Sequence, residues 1–241
     1  PHFFAGAPPP GESVVLRAEE ARHAVRSLRL RVGERFTSSD GRGAVARCRI
    51  VRLGSQDVEG EVEERHVTPE PQPPLDVLLA APKGERLGWA VQKLTELGVD
   101  AITLVEATRS VRRPYGQRIA RLGERLEAVA SEAAKQARRS FLPVVSGPVP
   151  WRDAITDALG QGPVILLWEG ATRGLPDVLP VHAPRRIALT VGPEGGIPEE
   201  DAQEAGASGA VLACLGPNIL RTETAAVAAS AIVLSRYGRL G

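Results

Sequence analysis

Cysteine is almost missing from this sequence. Only Cys48 and Cys214 occur in 241 residues, each alone in an apolar neighbourhood, so a disulfide framework is excluded as the basis of the fold. Neither CxxC nor HExxH is present, and His2, His23, His66 and His182 fall in four separate regions without ligand spacing, so no metal site is expected. Long apolar runs are lacking too: Ala225 to Leu234, among the longest, is well short of the roughly 20 residues a membrane helix needs. The opening PHFFAGAPPP has neither a basic n-region nor a long apolar stretch, and the expectation is a soluble, cytosolic protein without membrane contact. A net excess of charge is absent as well. The 30 basic and 29 acidic side chains leave +1, which excludes a gross polycation, and 43% apolar with 24% charged residues excludes a disordered chain. The sequence has no GxSxG elbow, no GxxxxGK[ST] loop and no GxGxxG after its first expected strand of the α/β type, which argues against serine hydrolases, P-loop NTPases and dinucleotide enzymes.

What is present is uneven. From Arg17 to Arg52, ten Arg oppose four acids, while Arg65 faces six acids between Leu53 and Pro74. A second basic stretch, from Arg109 to Arg139, holds eight Arg and Lys135 against Glu124, Glu127 and Glu132. Lysine supplies only three of the 30 basic side chains. Arg suits phosphate because its planar fork donates two parallel bonds, yet a GC-rich genome produces the same bias, and charge alone leaves nucleic-acid binding and a solvated surface both open.

The stretch PEPQPP, Pro69 to Pro74, can continue neither a helix nor a central strand and marks a domain boundary, giving domains of residues 1–72 and 73–241. Before it, short β-like runs (Ser13 to Leu16, Glu34 to Ser38, Ala44 to Val51, Val58 to Val67) and a short helix from Glu19 to Leu28 predict a small β-barrel. After it, strands at Asp76 to Ala81, Ala101 to Val105, Val164 to Trp168, Arg186 to Val191 and Ala210 to Cys214 alternate with amphipathic helices. Those helices are expected over Leu87 to Leu97, Gln117 to about Arg139, Trp151 to Leu159, Pro198 to Gly206 and Thr222 to Arg236. Alternation of this kind predicts an α/β domain with a mainly parallel sheet. The last helix is apolar nearly all round and rich in small residues, so it is expected to be buried against close-packed neighbours or a second subunit.

Two segments follow expected strands and concentrate glycine: Gly192-Pro193-Glu194-Gly195-Gly196-Ile197-Pro198, and Leu215-Gly216-Pro217-Asn218-Ile219-Leu220-Arg221-Thr222-Glu223-Thr224. In an open α/β sheet ligands bind beyond the carboxyl ends of strands, where glycines let backbone amides approach closely. These loops are candidate walls of one pocket. They can equally be plain turns, with Thr222 capping the last helix and Arg221 on the surface.

The same residues carry a family resemblance. GPEGGIPEED followed by LGPNILRTETAAVAA resembles the signature of the bacterial 16S rRNA (uracil N3) methyltransferase family, one of the trefoil-knotted, SPOUT-type methyltransferases. The likeness extends over nearly the whole chain. It includes His23, Arg26, Leu28 and Arg29 with Gly33 and Asp40-Gly41, then Lys83-Gly84 with Gln92-Lys93 and Glu96-Leu97-Gly98, then Glu132-Ala133 with Gln136, Arg139 and Pro143. Ser27, Thr108 and Phe141 depart from the usual pattern.

The resemblance implies a PUA-like RNA-binding barrel followed by a knotted domain that binds S-adenosylmethionine, a homodimer, and 16S rRNA of the small (30S) ribosomal subunit as substrate. Cofactor positions carried over are Glu169, Gly170, Gly192, Gly195, Gly196, Ile197, Leu215, Gly216, Ile219 and Leu220; RNA positions are Arg26, Arg29, Lys83, Arg109 and Arg139. Methylation at N3 of uracil requires the N3 proton to leave and the resulting charge on O2 and O4 to be stabilised. Arg221 is the candidate for that electrostatic role, with Glu194 or Glu223 as proton acceptor. Competing readings are a knotted methyltransferase for tRNA or 23S rRNA, and a non-catalytic assembly factor that binds RNA alone.

Overall fold

The computed structural model describes residues 1–54, 56–106 and 117–240. Two compact units are present: Pro1–Glu70 with Ala134–Leu142, and Pro71–Ala133 with Pro143–Gly241. The chain passes between units inside the proline-rich stretch, and the first unit also takes in a segment that a linear reading does not attach to it.

The first unit contains β1 (His2–Phe4), β2 (Ser13–Arg17), α1 (Ala18–Arg22) continuing into a π-helical turn (His23–Ser27), β3 (Arg35–Ser39), β4 (Ala44–Leu53) and β5 (Asp57–Val67). Its sheet has the order β1-β3-β4-β5-β2, antiparallel except for the β1–β3 pair. Alternate residues point inward, and Phe3, Leu16, Phe36, Cys48, Ile50 and Val58 form the core. Phe3 and Phe36 meet edge to face at 5.7 Å. Gly60 on β5 is required by that packing, since a Cβ there would lie 2.5 Å from the Phe36 ring.

The basic and acidic stretches are not separate faces. Antiparallel pairing sets them side by side, so Arg35 and Arg49 both bind Glu63, Arg47 binds Glu64 at 2.8 Å, and Arg52 binds Asp57 at 2.8 Å and Glu59 at 3.0 Å. Residues 134–142 join this unit through backbone bonds from Gly43 N to Ser140 O and from Leu142 N to Gly41 O, both 3.0 Å. Lys135 pairs with Glu20 at 2.8 Å.

The second unit contains β6 (Leu75–Ala80), α2 (Arg86–Leu97), β7 (Ala101–Glu106), α3 (Gln117–Gln136, whose last turn lies in the first unit), β8 (Val144–Pro150), α4 (Trp151–Leu159), β9 (Val164–Leu167), α5 (Leu175–Val178), β10 (Ile187–Val191), α6 (Glu199–Ala207), β11 (Val211–Ala213) and α7 (Thr222–Arg236). Six strands in the order β11-β9-β10-β6-β7-β8 form a wholly parallel sheet. Such a sheet must be covered on both faces, which explains why every residue of β9 and β10 is buried. Leu75, Val77 and Leu79 of β6 face one layer with α2 and α7, while Leu78 and Ala80 face the other with α4 and α6. Ala226 and Ala229 are fully buried in the first layer, where their small side chains let α7 pack close to α2 and the sheet. No helix among the described residues is long and apolar enough to cross a membrane.

Charged clamps sit at the amino ends of the strands. Arg186 Nη1 donates to both oxygens of Asp76, at 2.6 and 2.7 Å, and Arg239 donates to Asp100 and to the carbonyls of Pro73 and Gly98. Burial pushes the Asp76 carboxyl above the usual range, with Arg186 acting in the opposite direction.

Candidate active site

From β6 the chain steps outward through β7 to β8, then crosses to the other side of β6 for β9, β10 and β11. Parallel sheets bind ligands where the direction of winding reverses, beyond the carboxyl ends of the strands. A cavity of about 590 Å³ lies there, bounded by the residues that follow β9, β10 and β11 and by the start of α7.

The two glycine-bearing loops form its walls. Gly192, Glu194, Gly195, Gly196 and Ile197 come from the loop after β10, and Leu215, Gly216, Ile219, Leu220 and Arg221 from the segment between β11 and α7. Glu169 follows β9. All but one of the carried-over cofactor positions thus share one cavity. Gly170 is not on its wall; it packs on Trp168, where a Cβ would lie 2.5 Å from the indole.

Local hydrogen bonds brace this arrangement. The Trp168 indole N–H donates to Ile197 O at 3.2 Å, which holds the β9 loop against the β10 loop. Thr222, which the plain-turn alternative has capping α7, instead donates its hydroxyl to Gly192 O at 3.0 Å. The N-cap is Arg221, extended at φ −66° and ψ 151°, without a side-chain capping bond, and this residue is exposed and lines the cavity. Gly216, at φ 121°, needs glycine for its backbone conformation, and a Cβ at Gly195 or Gly216 would meet no atom within 4 Å.

The candidate proton acceptors differ in position. Glu194 is exposed on the cavity wall, whereas Glu223 lies below it in the first turn of α7, buried, with Oε2 lacking a hydrogen-bond partner. Both face Arg86, which also lines the cavity and which sequence reasoning did not single out: Nη1 donates to Glu194 Oε1 at 2.6 Å, and Nε is 3.8 Å from Glu223 Oε1. Its partners are more than 100 residues away in sequence, so no local pattern could reveal it.

The proposed RNA positions divide between the units. Arg26 and Arg29 are exposed at and just after the π-helical turn, Arg29 with φ 54°, and Arg139 belongs to the same unit. Lys83 is exposed in the second unit, just before α2, and Arg109 lies outside the described residues. Unlike the arginines of β3 and β4, Arg26 and Arg29 make no ion pair among the described residues.

Residues 68–234 match the family described as the RNA methyltransferase domain. The chain belongs to that family. In this RNA methyltransferase, residues 16–63 additionally match the family's RNA methyltransferase PUA domain. Over 226 residues the chain is 35% identical to ribosomal RNA small subunit methyltransferase E of Mycobacterium bovis, covering 92% of this chain and 86% of that protein. Its fold is similar to the ribosomal RNA small subunit methyltransferase E of Neisseria gonorrhoeae solved with S-adenosylmethionine bound, with TM-score 0.88, 29% identity, and coverage of 98% and 97%. A Legionella pneumophila structure that also holds S-adenosylmethionine gives TM-score 0.86 at 27% identity, with coverage of 97% and 96%.

Proposed function

We propose that this protein transfers a methyl group from S-adenosylmethionine to N3 of a uridine in the 16S rRNA of the small ribosomal subunit, in the cytoplasm. The observation that carries this reading is the meeting of both glycine-bearing loops at one cavity beyond the parallel sheet, in a chain of this family whose relatives are named for small-subunit rRNA and solved with that cofactor.

The residues present fit the cofactor. A cavity of about 590 Å³ is ample for a small molecule, Gly195 and Gly216 keep its wall free of side chains, and Trp168, Leu215, Ile219 and Leu220 supply apolar surface. Glu169, Gly192, Gly195, Gly196, Ile197, Leu215, Gly216, Ile219 and Leu220 would hold it, most of them through backbone groups. When bound, S-adenosylmethionine supplies an electrophilic methyl group on a sulfonium, so the protein's own task is to orient the uracil and manage its N3 proton. Arg221 presents a guanidinium to O2 or O4 as negative charge develops there. Glu194 or Glu223 takes the proton.

Arg26, Arg29, Lys83, Arg109 and Arg139 would hold RNA phosphates, contacts that position the substrate without identifying the base. The SPOUT resemblance further implies a knotted C-terminal segment and a homodimer. The second is supported by Val227, Ala228, Ala231 and Ile232 of α7, which a single chain only half buries. Calorimetry with S-adenosylmethionine tests the enzyme reading, which predicts one site per chain; absence of binding would favour a non-catalytic RNA-binding factor.

A further inference from the structure

Arg86 opens α2 immediately after the turn at Lys83-Gly84, where Gly84 has φ 68°. It reaches two other elements at once. Its 2.6 Å bond to Glu194 ties α2 to the loop after β10, and its 3.8 Å approach to Glu223 brings it to the first turn of α7. Among the described residues, it is the one cation paired with either carboxylate. The two contacts are unequal. Glu194 receives a short, well-formed hydrogen bond, while Glu223, with its side chain 9% exposed, is held through space alone and keeps Oε2 unpartnered.

A buried carboxylate is costly without a counter-charge, and a guanidinium can serve two carboxylates because its donors point in several directions. Arg86 is therefore shared between a carboxylate on the cavity wall and one beneath it, and sets how the two stand relative to each other. We propose that Arg86 is a positioning residue for methyl transfer, fixing Glu194 at the cavity wall and Glu223 below it in the arrangement the reaction uses. This inference rests on the methyltransferase reading above. It assigns Arg86 no contact with cofactor or base; it acts through the two acids.

The test is a cycle of Arg86→Gln, Glu194→Gln and the double variant, with Arg86→Lys as the conservative replacement. Steady-state methyl transfer to small-subunit rRNA, cofactor affinity by calorimetry and thermal melting are read on the same preparations. Removing a positioning interaction should lower kcat by about tenfold or more while cofactor Kd and RNA KM stay within about threefold. Arg86→Lys should melt near the wild type and recover part of kcat, since an ammonium can pair well with one carboxylate but not both. The double variant should be no slower than the slower of the two single variants, because residues acting as a unit are not additive. Independent losses that multiply, an unchanged kcat in Arg86→Gln, or a loss confined to Kd or KM would each overturn the positioning role. If Arg86→Gln does not fold, Arg86→Lys decides: kcat within twofold of wild type overturns it. A wild type that binds the cofactor yet methylates no RNA would overturn the methyltransferase reading, and this role with it.

Discussion

Replacing Gly192 with Ala probes how the cavity is held open. A Cβ at this position would lie 2.5 Å from Ile197 Cγ1 and 2.8 Å from Cδ1, distances no real contact tolerates, and Ile197 is only 7% exposed. The backbone of Gly192 does not occupy the left-handed region, so the penalty comes from overlap and not from φ strain. Relief requires Ile197 to shift, and its carbonyl accepts the Trp168 indole N–H, so the strain passes to a second residue of the cavity wall. Inserting one methyl group into packing this tight costs about 1–3 kcal/mol. For a chain of this size that corresponds to a fall in melting temperature of about 2–4 °C per kcal/mol. If half of that cost, about 0.5–1.5 kcal/mol, falls on the cofactor-bound form alone, affinity for S-adenosylmethionine drops by about two- to tenfold, since about 1.4 kcal/mol is a factor of ten. Gly195→Ala is the control: its Cβ would meet nothing within 4 Å, so stability should stay within about 0.5 kcal/mol of wild type. Calorimetry and thermal melting on both variants read these quantities. A Gly192→Ala protein with wild-type melting and wild-type cofactor affinity would refute the role given to the Gly192–Ile197 contact.

Arg221→Lys should slow single-turnover methyl transfer by about a hundredfold with little change in cofactor affinity, because an ammonium cannot present a planar fork to O2 or O4; turnover close to wild type would remove the electrostatic role. Hydrogen bonds from Arg35 and Arg49 hold the Glu63 carboxyl down at about 2. A depressed carboxyl stabilises the fold above its unfolded value near ~4.3 and loses that contribution as pH falls toward 2, so Glu63→Gln should be slightly less stable than wild type at neutral pH, with the gap closing on acidification. Denaturant melts across pH 2 to 7 check this, and a gap that widens in acid would contradict it. Cys214 lines the cavity, whereas burial pushes the Cys48 thiol up to about 11. A thiol reagent should therefore modify Cys214 first, and saturating S-adenosylmethionine should slow that reaction; equal labelling with and without cofactor would place the ligand elsewhere.

Legibility in the sequence followed the physics of each element. Central strands such as β9 and β10 are buried on both faces and appear as uninterrupted apolar runs, so they were easy to place. The strand β8 is not legible in the sequence because Gly147, Pro148 and Pro150 speak against a strand, and they are tolerated here because β8 lies at the sheet edge. The three residues of β1 and the four of α5 are too short to show a period. Charge in the first unit was misleading for a related reason. Linear counting separated Arg35, Arg47, Arg49 and Arg52 from the acids of β5, but antiparallel register brings them into direct pairs. The glycine-bearing loops announced the cavity because backbone exposure demands glycine locally. Arg86 did not, since its meaning depends on Glu194 and Glu223, which only the folded sheet brings to it.

The proposed reaction is tested most directly by nucleoside mass spectrometry of ribosomal RNA after incubation with the purified protein and isotopically labelled S-adenosylmethionine. Small ribosomal subunits and naked 16S rRNA from a strain lacking the modification serve as substrates, alongside 23S rRNA and tRNA. The expected result is a labelled methyl group recovered as N3-methyluridine from the small-subunit RNA, forming far more slowly with Arg221→Lys. Label recovered in tRNA or 23S rRNA, on another base or position, or nowhere despite cofactor binding, would contradict the assignment.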